Sequence, residues 1–409
     1  MDNNLLTKYA ALAVKMGVNI QNGDTLVVNS PIETAEFARS LAEEAYKLGA
    51  KEVVVHYSDL KLSKIKLNYG SLESISTIPE WQAESVNSYS REGACFISIS
   101  AADPDGLKGV DMSKIGASQK ARTQALKEHY ANTMSNKCRW CVLAMPTVSW
   151  AKKVFPTLSD DAAVESLLNT IYKTVRVDKE DPIAAWNDHN SYLQEKIKFM
   201  NENNFSTLHY KNAKGTDLTI ELPDGHLWCG GGEDDVNGIM FNANMPTEEV
   251  FSLPKRDGVN GVVYSTKPLI YGGNQINDFC LTFKDGKVVD YSAKEGYEVL
   301  KTMLETDEGA KYLGEVALVP FDSPISNTDL VFYNTLFDEN AACHLAFGRA
   351  YSSCVKDSEN MTKEELTKVG VNDSLIHEDF MIGSEDLEIT GINYKGETVT
   401  IFSNGNWAF

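Results

Sequence analysis

Residues 25–58 read TLVVNSPIETAEFARSLAEEAYKLGAKEVVVHYS. The first six are a short apolar run of the kind a buried strand shows. Residues 33–50 set their apolar positions along one helical face, and Gly49 stops that helix. Residues 51–58 return to β-branched side chains. A strand, a helix and a second strand in direct succession imply parallel pairing through a right-handed crossover. On the N-terminal side, 4–16 has helical spacing and ends at Gly17. On the C-terminal side, ACFISISA (94–101) and CRWCVLAMPT (138–147) add two buried strands, with a long polar helix over 112–135 between them. The N-terminal region is therefore expected to be an α/β domain with a mainly parallel sheet.

The pattern then changes. Residues 159–203 read as two helices broken at Asp181–Pro182, and LHYKNAKGTDLTIEL (208–222) as a hairpin turning near Lys214–Gly215. Lys284-Asp285-Gly286-Lys287 and Tyr394-Lys395-Gly396-Glu397 carry further hairpin signals. Residues 294–312 have helical spacing and lead into a strand opened by Glu315. A boundary near 180–205 divides the chain into 1–190 and 191–409. The second domain is expected to be α+β, rich in antiparallel strands.

At 409 residues the chain is long enough for two cores. It is 43% hydrophobic and 23% charged, as globular proteins are. A net charge of -20 argues against nucleic acid and against anionic membranes, both of which need a basic face. Residues 1–17 lack the basic stretch of a secretory leader, and no apolar run nears the ~20 residues of a membrane helix. Seven scattered cysteines do not suggest a disulfide framework, and a reducing cytoplasm is the expected setting.

Several isolated signals have ordinary readings. Cys138 and Cys141 form a C-x-x-C that runs into a strand and has no second pair, so buried structural cysteines are expected. Gly230–Asp235 is glycine-rich, but its acids would repel phosphate. Ala102–Gly106 carries a turn signal in its Pro and Gly. His226 enters the glycine-rich loop and stays an outsider.

The last 160 residues hold a denser set. Glu249 lies in NMPTEEVF, Glu315 in EVALVP, Glu339, His344 and Tyr351 in DENAACHLAFGRAY, and His377 and Asp379 in HEDFMIGS. Singly, each is unremarkable. Glu248 and Glu249 suit the first turn of a helix, Glu315 a solvated strand start, and His344 an apolar core. Together they are carboxylates and imidazoles, the donor set of divalent metals. His377 and Asp379, two apart on a strand, share a face that Glu378 does not. On a helix His344 and Tyr351 would also share a face, if the helix continued past Gly348.

These strings, with VVNSP and PTVSWAKKVFP earlier in the chain, resemble the aminopeptidase T / aminopeptidase S (PepS) family of dinuclear metallo-aminopeptidases, also called thermophilic metalloproteases. The resemblance spans essentially the whole chain. It implies metal ligands at Glu249, Glu315, Glu339, His344, His377 and Asp379. It also implies two divalent ions, zinc with cobalt or manganese as alternatives, and a water between them deprotonated by Glu315 as general base. Tyr351 is implied as a catalytic hydrogen-bond donor, peptides with a free N-terminus as substrates, and a homodimer as the assembly. The alternatives are another dinuclear hydrolase, such as an esterase or amidohydrolase, and a non-catalytic binding protein.

Overall fold

A computed structural model describes residues 3–101, 103–272 and 274–409. Five parallel strands form one sheet in the order Glu52–Ser58, Thr25–Pro31, Cys95–Ser100, Trp140–Ala144 and Asn244–Met245. Val27 sits between Val54 and Phe96 in this register. Leu26, Val27 and Val28 are fully buried, so the strand is a continuous apolar run and shows no alternation. The crossover helix Ala35–Lys47 buries Phe37, Ala38, Leu41 and Ala45, a spacing of three and four residues that keeps one face on the sheet.

Two details differ from the sequence expectation. The first helix, Asn3–Leu12, continues as a π-helical turn over Ala13–Gly17. The polar 112–135 segment is two helices, Met112–Ala125 and Lys127–Met134, separated at Leu126. Of the expected 102–106 turn, Ala102 lies outside the described residues.

The chain divides into two compact units, Met1–Asp188 with Gly232–Pro246, and His189–Gly231 with Thr247–Phe409. The change at Asp188 falls inside the helix Pro182–Asn203. The second unit contains a nine-stranded antiparallel sheet. Within it Asn274–Lys284 pairs with Lys287–Glu295, and Asp285 and Gly286 both take positive φ, the turn that a two-residue hairpin needs. Glu388–Asn393 pairs with Thr398–Ser403 around Gly396.

A smaller antiparallel sheet in the same unit orders Val250–Ser252, Leu313–Leu318, His344–Gly348 and His377–Met381. One face of it carries Val250, Val316, Leu318, Leu345, Phe347 and Phe380 into the main core. The expected helix after His344 is not formed. His344–Gly348 is a central strand buried at every position, and covering both faces removes the alternation that would have marked it. Gly348 ends the strand at φ +90, where a Cβ would stand 2.2 Å from the Ile376 carbonyl oxygen.

Candidate metal centre

The strand register assembles the site. Glu315 is opposite Ala346, and Ala346 is opposite Asp379, so these three side chains lie in one row on one face. His344 and His377 fall on that face by the two-residue period, His344 opposite Ala317 and His377 opposite Gly348. Ala346 and Gly348 leave the middle of the row nearly empty, which gives the flanking carboxylates room to converge. Val250 and Ser252 oppose Leu318 and Val316 on the core face, so Phe251 is on the site face. Extending that alternation by one step puts Glu249 on the site side and Glu248 away from it. The Glu248 carboxylate instead lies 3.6 Å from His189 Nε2.

Two groups of donors result. Glu249, Glu315 and His344 form one, and Glu315, His377 and Asp379 the other, with the offered atoms of each group within 4.8 Å of one another. Glu315 belongs to both. His344 Nε2 is 3.1 Å from Glu249 and 3.6 Å from Glu315 Oε1. His377 Nε2 is 3.3 Å from Glu315 Oε2 and 3.4 Å from Asp379. Each Glu315 oxygen thus faces a different imidazole.

The other nitrogen of each ring is engaged by backbone. His344 Nδ1 donates to the Ala342 carbonyl at 3.1 Å, and His377 Nδ1 to the Arg349 carbonyl at 2.7 Å. Such bonds fix the ring and leave Nε2 as the ligating atom, the arrangement that metal-binding histidines use. Asp379 Oδ1 is buried and has no hydrogen bond of good geometry, its neighbour being His377 Nε2 at 3.4 Å. An acceptor left in that state is costly unless a cation takes it up. The donor set and this oxygen both fit divalent metal ions.

Charge points the same way. Burial raises the Glu339 carboxyl well above its ordinary value, and neighbouring Asp379 and Glu249 push it further. Burial also raises Glu249, though His344 offsets part of the effect. Glu315 behaves oppositely. Burial alone would raise it, but bonds to His344 and His377 bring it down to about 2. Both imidazoles move well above their ordinary range despite burial, His344 through Glu249 and Glu315, His377 through Tyr351, Asp379 and Glu315. Without metal, protons on the two rings do a cation's work.

The remaining expected residues are partly gathered. Glu339 is partly buried and acts on both groups electrostatically, but belongs to neither close set. Tyr351 places its ring 4.8 Å from the His377 ring and meets Phe251 edge-on at 6.1 Å. Burial raises its hydroxyl, which keeps the proton. His226 bonds the Pro223 carbonyl and joins neither group. Cys138 and Cys141 are buried and unpaired. The sequence carries no signal for the roles of Ala346 and Gly348 in the site, which lie in their small size, or of Asn340, whose bond to the Glu248 backbone spans 92 residues.

Among the described residues no helix is long and apolar enough to cross a membrane. Comparison with known proteins agrees with the site. Residues 2–407 match the family described as thermophilic metalloprotease (M29). The chain is 49% identical over 404 residues to aminopeptidase 2 of Geobacillus stearothermophilus, covering 99% of this chain and 98% of that one. It is 41% identical over 402 residues to aminopeptidase T of Thermus thermophilus, covering 98% of each. The solved structure of wild-type AmpT from Thermus thermophilus superposes with a TM-score of 0.94 at 39% identity, covering all of both chains. With an antiparallel sheet that sets Glu315, Asp379, His344 and His377 on one face, and a match that runs almost from end to end, this chain belongs to the thermophilic metalloprotease (M29) family and is a metal-dependent peptidase.

Proposed function

We propose that the chain removes N-terminal residues from peptides at a centre holding two divalent ions. The observation that carries this reading is that Glu315 is shared by two donor groups. Charge supports the count. When ionised, Glu249, Glu315, Glu339 and Asp379 supply four negative charges, which two divalent ions and two neutral imidazoles would neutralise. Glu249 and His344 would hold one ion, His377 and Asp379 the other, with Glu315 serving both and Glu339 beside them. Mixed nitrogen and oxygen donors suit zinc, with cobalt or manganese able to replace it.

When bound, such ions acidify a water molecule and polarise a carbonyl. The chain's own groups complete the chemistry. Glu315 accepts a proton from the attacking water as the new C–O bond forms, then returns it to the leaving amine as the C–N bond breaks. The Tyr351 hydroxyl donates to the oxyanion of the tetrahedral intermediate. A free α-amine on the substrate distinguishes this reading from a general esterase or amidohydrolase.

The test is hydrolysis of an amino acid nitroanilide before and after verified metal removal, run beside its N-acetylated form. Loss on chelation, recovery with added zinc or cobalt, and inactivity on the acetylated compound are expected. Full activity of the metal-free chain, or equal rates on both compounds, would overturn the proposal.

We also propose a homodimer working in the cytoplasm. The family resemblance supports the first. Seven cysteines without a disulfide support the second. Light scattering that gives the monomer mass across the working concentration range would remove the dimer.

A further inference from the structure

Asn340 is fully buried and reaches across 92 residues of sequence to the segment that carries Glu249. Its Oδ1 accepts the Glu248 backbone N–H at 2.7 Å. Its Nδ2 donates to the Leu336 carbonyl at 3.0 Å and lies 3.4 Å from Glu339 Oε1. These bonds tie one amide to three things. They hold the backbone one residue before Glu249, the end of the short helix Thr335–Asp338, and the nearest oxygen of Glu339.

The position of Glu249 depends on this tie. Glu249 precedes the three-residue strand Val250–Ser252, which lies at the edge of its sheet. Pairing with Leu313–Leu318 begins only at Val250, so the Glu248 peptide is held by the Asn340 bond, next to the His189 contact with the Thr247 carbonyl. His377 and Asp379 are held differently, by five register pairs to the central strand and by the His377 bond to Arg349. Among the hydrogen bonds of Asn340 none reaches that second group.

We infer that Asn340 is a positioning residue for one half of the centre. It orients Glu249 for the Glu249–Glu315–His344 ion and leaves the Glu315–His377–Asp379 ion to the sheet. The inference rests on the two-ion reading above. It makes the two ions separable, because a single uncharged side chain, itself no ligand, sets the affinity of one of them. Outer groups of this kind change metal affinity by about 10–100-fold.

The experiment is a Co²⁺ titration of the metal-free full-length chain, followed by absorption of the bound ion, for wild type, Asn340→Ala and Asn340→Asp. Wild type should bind two equivalents tightly. Asn340→Ala should keep one and weaken the other about 10-fold or more. Asn340→Asp keeps an acceptor for the Glu248 N–H and should bind both tightly. Should the alanine variant not fold, Asn340→Leu, which keeps the branched shape of Asn without its amide, carries the same expectation. Two tight equivalents in Asn340→Ala, an equal fall at both sites, or loss of one ion in Asn340→Asp would each overturn the inference. A wild type that binds fewer than two equivalents would instead remove the two-ion reading, and this inference with it.

Discussion

Each unit buries a cluster of charge, and the two clusters are built to different rules. In the first unit Arg139 is buried between Asp24 and Asp235. Its guanidinium also donates to the Asn19 carbonyl at 2.6 Å. Asp235 accepts the backbone N–H groups of Asn237 and Ile239 at 2.8 and 2.9 Å. Here the anions are met by a fixed cation and by peptide donors. In the second unit four carboxylates meet two imidazoles, and the crowding shows in Glu339 and Glu249, both raised above their ordinary range. Peptide donors help complete the first cluster, whereas in the second the imidazole Nδ1 atoms donate to carbonyls and Asp379 Oδ1 has His377 Nε2 at 3.4 Å beside it. The first cluster satisfies its acceptors with its own donors, whereas the second turns its carboxylates toward one another and toward two imidazoles, and so is shaped to take metal.

Substitutions that disturb each cluster should therefore fail in different ways. The largest effect is expected from Glu315→Gln assayed at saturating metal. Losing the group that moves the proton should lower kcat by about 10²–10⁴-fold. Steady-state rates near wild type would exclude Glu315 as the base. Next comes Arg139→Met, which leaves two buried or half-buried carboxylates without their cation. Chemical denaturation should give a loss of about 3–5 kcal/mol, with metal stoichiometry unchanged. Any change in bound metal would mean that the two clusters are not independent.

Protons and metal should compete only in the second unit. His344 and His377 are raised above their ordinary range in the metal-free chain. The stability this contributes is fully present below the ordinary histidine value and is lost as pH climbs through the raised values. Metal binding must displace the same protons, so metal affinity should rise with pH across that window. Calorimetry in two buffers of different ionisation enthalpy should detect proton release on metal binding. Affinity that is flat, or that falls over the window, would contradict the assignment of Nε2 as ligand. The smallest effect belongs to His209→Ala. His209 and Asp217 form a pair at 2.8 Å, but both are exposed. Melting temperature and metal content should stay at wild-type values.

Much of the first unit can be read from sequence because its strands are long apolar runs joined by an amphipathic helix with a glycine stop. The hairpins of the large sheet are legible for a local reason too, since Asp285-Gly286 needs positive φ at both positions. The small sheet that builds the site is not legible in the same way. Val250–Ser252 is three residues long, and His344–Gly348 is buried on both faces, so neither shows a period. The seven-residue step from His344 to Tyr351 suits a helix as well as an irregular path, and the structure takes the latter. Alternation did reveal the His377–Asp379 pair, because that strand is partly exposed at its start. The choice of Glu249 over Glu248 came from family resemblance, and its physical cause, the register of Val250–Ser252 against Leu313–Leu318, exists only in the fold. The return of Gly232–Pro246 to the first unit likewise rests on a two-residue strand that leaves no pattern.

The central claim is that the second cluster is built to take divalent ions and the first, held by Arg139 and peptide donors, is not. Crystals of the metal-loaded protein, measured on either side of the metal absorption edge, address it in one anomalous difference map. Two peaks are expected, one at Glu249 and His344 and one at His377 and Asp379, with Glu315 contacting both and no peak beside Arg139. A single peak, two peaks that do not share Glu315, or an ion at the Arg139 cluster would contradict the account.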